Sequence, residues 1–384
     1  MRTFITCSLL AVLVAATSWS PSARTLAGEA GTGATFSSIG PLTFAPDGTL
    51  FAGDTVGAAI LALDLGKQTA PRGTGDAANL DQTIAAMLGT DRAQVLITDM
   101  AVHPTSKNTF VSVMRGEGAA AQPALFRVDG TGKVELVAFS GLMFSKVTLA
   151  DPPKAAAFVS PFKMDYVKVG PEYVHENPRV RTITDMAYVN GQLIVAGLSN
   201  EEFSSTLRAI PYPFKTAASS KAAAGSTNVE IYHGNHQQME TRSPIYAFVP
   251  YTIGNEPSLV ASYLCTPLVT LPVSSLKPGA HVRGKTIAEF GNGNRPLDMI
   301  VYSKGGKDFL LMANNRRGVM KIPTDTFAAA ASITTPVKDT AGVPFETVAS
   351  LTGIEQLDSL DATRALVLAR SASKGLDLRA VALP

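Results

Sequence analysis

Thr98-Asp99-Met100-Ala101-Val102, Thr184-Asp185-Met186-Ala187-Tyr188 and Leu297-Asp298-Met299-Ile300-Val301 are three versions of one string. Each sets a carboxylate at the head of an apolar run. The run passes through a turn (Pro104 to Asn108, Asn190-Gly191 or Lys304 to Gly306) into a second apolar run that ends on a small residue. Two more runs follow. After the first string they are Ala124 to Asp129 and Lys133 to Phe139, after the second Leu207 to Ile210 and Val229 to Tyr232, and after the third Val319 to Ile322 and Glu346 to Leu351. Alternation of apolar and polar residues, broken by Gly, Asn and Pro, is the signature of short strands and not of helices.

Looser copies open at Pro41, Pro244 and Glu355. The six openings are almost evenly spaced except between Asp99 and Asp185. The surplus there, roughly thirty residues, is too short for four more strands with their turns. It reads as an insertion over 140–182, rich in proline and aromatic residues. A four-stranded unit cannot bury both faces alone, so it must stack on its copies, and six copies stacked radially give a β-propeller. The expected fold is therefore all-β, a six-bladed propeller. Its last unit supplies three strands, and Ala34 to Ile39 is expected to add the fourth and so close the ring without an open edge. One short helix is expected over Leu80 to Leu88, begun at Asp81 and ended by Gly89, serving as a lid or a brace.

Met1 to about Ala27 has the layout of a secretion signal, with Arg2, an apolar stretch from Phe4 to Ala16, and small residues before Gly28. Residues 28–384 then form one domain, expected to be secreted or periplasmic and monomeric. The apolar stretch is shorter than the ~20 residues a membrane span needs, and no later stretch is long enough. Without Arg2 and Arg24 the chain carries 31 basic and 31 acidic residues. That balance excludes electrostatic capture of nucleic acid or anionic lipid. One cysteine remains, Cys265, so the fold does not rest on internal disulfides.

In a propeller the heads of the inner strands and the loops from second to third strand open on the same rim. The first set supplies Asp99, Asp185, Asp298 and Glu355, the candidate metal ligands. The loops and the segments entering the blades supply Arg181, Asn200, Glu202, Arg242, Arg295, Asn314 and Arg316 as candidate ligand-binding residues. Asp185, Asp298 and Glu201 are the candidate catalytic carboxylates. Carboxylates crowded round a channel repel one another. Three arrangements relieve this: a divalent cation, Ca²⁺ first among them; pairing with Arg181, Arg242 and Arg295; or capping of backbone amides. A softer site is the alternative, with His233, His236 and Met239 as ligands for copper or zinc and Cys265 adding a thiolate. No Gly-x-Ser-x-Gly elbow, His-Glu-x-x-His or phosphate-binding loop is present. Gly291-Asn292-Gly293-Asn294 lacks a dinucleotide context, so no nucleotide cofactor is expected.

Gly40-Pro41-Leu42-Thr43-Phe44-Ala45-Pro46-Asp47-Gly48-Thr49-Leu50-Phe51-Ala52 resembles the blade opening of the gluconolactonase/SMP-30 and NHL-repeat propellers. The resemblance implies a six-bladed propeller and, in the lactonase branch, a central divalent ion held by acids at the positions of Asp99, Asp185 and Asp298. It implies a metal-dependent hydrolase in which Asp185 or Asp298 is a ligand and a neighbouring carboxylate the base. Two features depart from the pattern: Met follows the Asp where that family has Gly, and Pro41 stands where it has Glu. The function first expected is accordingly a recognition propeller that binds a small molecule or a partner protein at the channel mouth, with a lactonase-type hydrolase second.

Overall fold

A computed structural model describes residues 29–69, 73–154, 166–169, 172–175, 178–214, 222–223 and 225–384. The expected leader, the middle of the expected insertion and most of the Lys215–Ser226 loop lie outside the described residues. Among the described residues the one α-helix with full bounds is Leu80–Met87, joined by a few short helical turns; most of the rest is strand and loop. No helix among the described residues is long and apolar enough to cross a membrane.

Six sheets stand around a ring, antiparallel except where His281–Arg283 pairs parallel with Thr227–His233. Numbered in chain order, their inner strands are Leu42–Phe44 in blade 1, Val95–Val102 in blade 2, Asp185–Val189 in blade 3, Ala247–Ile253 in blade 4, Pro296–Lys304 in blade 5 and Ile354–Ser359 in blade 6. The expected six-bladed propeller is thus the observed fold. Second strands are apolar on both faces because each blade is sandwiched between two others. In blade 5 Leu310, Leu311, Met312 and Ala313 are all buried, and in blade 6 Ala365 to Ala369 are buried too. Each large side chain so buried contributes about 1.5–3 kcal/mol relative to exposure.

The order of blades around the ring is not their order in the chain. Inner strands touch in the sequence 2, 1, 3, 4, 5, 6 and back to 2. The chain begins in blade 1, steps backwards to build blade 2, and returns to blade 1 before moving on. The return strand, Met143–Thr148, is the fourth strand of blade 1; it pairs with Ala59–Asp64 from Ala59↔Thr148 to Asp64↔Met143. The surplus residues between Asp99 and Asp185 are therefore not simply an insertion, since they begin with a blade strand. A short hairpin, Tyr166–Val169 with Glu172–His175, follows.

Ring closure by Ala34 to Ile39 requires correction. The N-terminal strand, Glu29–Thr32, pairs with Met143–Thr148 at the outer edge of blade 1, and blade 6 keeps three strands. Because blade 2 sits beside blade 6, the linker between blades 1 and 2 passes the outer edge of blade 6 instead. Ala77 bridges Leu378 there, Asp76 accepts the Ala380 N–H and Asp377 accepts the Asn79 N–H. The helix Leu80–Met87 follows and braces blades 2 and 6. Leu80 and Ile84 are buried, and Asp81 accepts the Leu376 N–H at 3.0 Å. Asn79, not Asp81, precedes the helix, and its side chain makes no cap.

Candidate functional site

The Asp-Met strings are explained by the seams between blades. Each Asp uses one carboxylate oxygen to accept the N–H of its own following residue and the other to accept an N–H from the next inner strand. Asp99 takes Met100 and Leu42 (2.8 and 2.6 Å), Asp185 takes Met186 and Phe248 (2.7 and 2.7 Å), and Asp298 takes Met299 and Leu357 (2.7 and 2.9 Å). A fourth, Asp358, takes Ser359 and Val102 (2.6 and 2.7 Å). Bulges at Ile97/Asp99 and Pro296/Asp298 re-aim the carboxylate at the neighbouring strand. All four clasps run in one sense around the ring, from blade 2 to 1, 3 to 4, 5 to 6 and 6 to 2. Blades 1 and 4, which open on Pro41 and Pro244, send none.

These acids are near enough to feel one another's charge. Burial first, then the charges of Asp185 and Asp358, hold the Asp99 carboxyl well above the usual range; burial and Asp298 do so for Asp185, and burial, Asp99 and Asp358 for Asp298. Burial pushes Asp358 up to about 6. The arrangement is the capping of amides, which leaves the oxygens committed to the backbone. Asp99, Asp185 and Asp298 do not form a group with metal-ligand spacing among the described residues. Glu355 is turned to Arg370, at 2.5 Å, and Asp358 takes the place expected for it. The string Asp358-Ser359 lacks the following Met, so it escaped the repeat.

The group that does have ligand spacing is His233, His236 and Cys265, whose donor atoms lie within 4.8 Å of one another. It forms where blades 3, 4 and 5 meet on the strand-head rim. His233 ends the strand Thr227–His233, His236 sits in the turn to Gln238–Glu240, and Cys265 lies in the turn between Glu256–Ser262 and Pro267–Pro272. The two imidazoles stack at 3.8 Å between centroids. His233 is fully buried, and its two ring nitrogens face carboxylates: Glu240 Oε1 lies 3.0 Å from Nδ1 and Glu289 Oε2 lies 3.6 Å from Nε2. His236 Nδ1 meets the same Glu240 oxygen at 2.5 Å. Burial disfavours the charged form of His236, but its hydrogen bonds to Cys265 and Glu240 outweigh this and raise it to about 10. Glu240 is buried, yet the two histidines pull it down to about 2. Burial holds Glu289 above the usual range.

A second ring of bonds fixes the ligand-bearing loops. Cys265 and Thr266 both adopt left-handed backbone, φ 56° and 49°, which non-glycine residues hold only when their surroundings impose it. Asn294 imposes it: its carbonyl accepts the Cys265 N–H, its Oδ1 accepts Thr266 Oγ1 and Asn314 Nδ2, and Gly293 N–H points at Cys265 Sγ (3.4 Å). Asn314 Oδ1 in turn accepts the N–H groups of Arg316 and Arg317. On the other side Glu289 accepts Gly234 N–H and Asn235 Nδ2.

Of the residues expected on the rim, then, His233, His236, Cys265 and Asn314 are brought together. Met239 is not: it neighbours Glu240 in a strand, so its side chain leaves by the opposite face. Arg316 is exposed and contributes its backbone; Arg295 is joined to Asn315 through backbone and amide contacts. Arg181 lies over the Tyr246 ring at 5.6 Å. Arg242 and Glu202 are exposed; Asn200 donates its N–H to Asp151 O, and Glu201 accepts from Ser226 and Asn228 within blade 3's own loops. Glu289 was missed by sequence reasoning. Its only signal is that it is the last polar residue of the strand Lys285–Phe290, two residues before Gly291.

No family model matches the chain, and no curated protein matches it. Solved structures resemble it loosely. The PQQ-bound aldose sugar dehydrogenase of Streptomyces coelicolor is 10% identical over 93% of this chain and 99% of its own, with a TM-score of 0.33. The hydrazine synthase of Kuenenia stuttgartiensis is 12% identical over 92% and 97%, with a TM-score of 0.30. Likenesses of this size carry no inference about chemistry, and the propeller rests on the chain's own strand pairing.

Proposed function

We propose that this propeller is a metal-binding protein whose ion is held by His233, His236 and Cys265 at the junction of blades 3, 4 and 5. One observation carries the reading. A fully buried imidazole, its two nitrogens facing the carboxylates of Glu240 and Glu289, stands within ligand reach of a second imidazole and of the chain's one cysteine outside the leader-like stretch. The surroundings favour a cation. Glu240 and Glu289 flank His233, and carboxylates against metal-bound imidazoles orient the ring and fix its tautomer. Two nitrogens and a sulfur select a zinc- or copper-class ion over calcium.

The acidic channel does not carry the function in this reading; it holds blades together. Export from the cell rests on the leader-like Met1 to Ala27 alone, and N-terminal sequencing of the exported chain would test it. Metal binding is tested by titrating the reduced, chelator-treated full chain with Zn(II) under calorimetry. One ion per chain is expected, with binding weakened at least tenfold in both Cys265→Ser and His233→Gln. Equal affinity in wild type and both variants would overturn the reading.

A further inference from the structure

The heads of blades 2 and 3 carry the same string, but only blade 2 satisfies its threonine. There the Thr98 hydroxyl donates to Ile39 O at 2.9 Å and meets Ser112 Oγ at 2.8 Å. Ser112 stands opposite Asp99, whereas Ala196 stands opposite Asp185. Blade 3 therefore has no hydroxyl to offer at that place, and Thr184 Oγ1 is buried without a hydrogen-bond partner among the described residues. Buried polar groups are nearly always bonded, so such an orphan calls for a partner from outside the chain.

Arg181, three residues earlier, repeats the pattern with a charge. Its guanidinium lies over the Tyr246 ring, 5.6 Å from the centroid, and its buried Nε has no hydrogen bond. It makes no ion pair among the described residues. Asp185, the nearest acid along the chain, does not serve it: both carboxylate oxygens accept backbone amides, and burial holds the group toward its neutral form. Water alone would satisfy the hydroxyl, but the guanidinium also needs a counter-charge. Its planar fork matches the paired oxygens of a carboxylate or a phosphate, and stacking on tyrosine holds the fork without using its donors.

We propose that Arg181, Thr184 and Tyr246 form a site at the strand-head mouth of the channel for the oxyanion head of a small molecule. The guanidinium supplies charge and paired donors, the hydroxyl adds one more donor, and the ring steadies the guanidinium. Arg295 and Arg316 stand on the same rim at blade 5, where their charge draws an anion to the mouth. Outside the leader-like stretch the chain has no excess of basic residues, so a small anion fits and a nucleic acid does not. The site shares no residue with the metal ligands and is tested apart from them.

The chelator-treated full chain, free of metal, is titrated under calorimetry at low ionic strength with inorganic phosphate and, separately, with citrate. One saturable site per chain is expected, and the tighter probe tells a phosphate ligand from a carboxylate. Arg181→Gln should weaken binding by about tenfold or more, and Thr184→Val by about fivefold, as loss of a charged and a neutral hydrogen bond does. Arg283→Gln, on the outer edge of blade 3, should leave it unchanged. In parallel the wild type is labelled with phenylglyoxal and mapped by mass spectrometry, a readout that needs no variant to fold. The bound probe should protect Arg181 and leave Arg283 reactive. Absence of saturable binding by either probe, equal affinity in Arg181→Gln, or labelling of Arg181 that neither probe slows would overturn the proposal, whatever Zn(II) does at Cys265.

Discussion

Replacing Asp358 by Asn separates the two effects that its burial combines. The folded chain raises this carboxyl from 3.8 to about 6. A carboxyl raised by folding stabilises the fold while it is protonated and costs stability once pH rises past its unfolded value, until the folded group has also ionised. From the two values the total loss is roughly 3 kcal/mol, of which about 2 falls between pH 4.5 and 7. Glu240 acts in the other direction, but its contribution is lost only as pH falls from 4.5 toward about 2, outside that window. An amide cannot ionise, so the variant removes this slope. It also keeps only one acceptor for the N–H groups of Val102 and Ser359, a loss of about 1–3 kcal/mol. The stability curves from urea titration should therefore converge: the variant is the weaker protein at pH 4.5, and the gap closes by about 2 kcal/mol at pH 7. Parallel curves would refute the placing of Asp358 in the buried ring.

Two further outcomes follow from packing and from the cage around the metal ligands. Phe51 is fully buried between blades 1 and 3 against Tyr188, Tyr212 and Phe214, at 4.9–5.9 Å between centroids, so Phe51→Ala should cost about 3–5 kcal/mol in chemical denaturation; a loss under 1 kcal/mol would contradict the 1–3 seam. Asn294 touches no expected ligand through its side chain but holds Thr266 and Asn314. Asn294→Ala should therefore weaken Zn(II) binding by about 10–100-fold, as loss of outer-shell support commonly does, and unchanged affinity in a folded variant would show that the cage plays no part.

Strand order within blades 2, 3 and 5 was legible in the sequence because period-2 runs and turn residues are local signals; the second and third runs after Asp185 and Asp298 match the observed strands closely. The transposition of blades 1 and 2 was not, since nothing local in Met143–Thr148 says which earlier strand it will join. That choice is made by burial: Val147 and Leu149 fill the space beside Ile60 and Ala62. The repeated Asp was visible, but its role was open among cation, arginine and amide, and only the positions of Leu42, Phe248 and Leu357 decide for the amide. The His-Gly-Asn-His loop and Cys265 were each visible. Their meeting depends on two turns from different blades and on Asn294 between them, which no spacing in the chain encodes.

The most direct test is X-ray absorption at the metal edge of the loaded wild-type chain. With Zn(II) the account predicts one sulfur near 2.3 Å and nitrogen scatterers at about 2.0–2.1 Å, the sulfur shell vanishing in Cys265→Ser. A shell of light atoms alone, unchanged by that substitution, would contradict it.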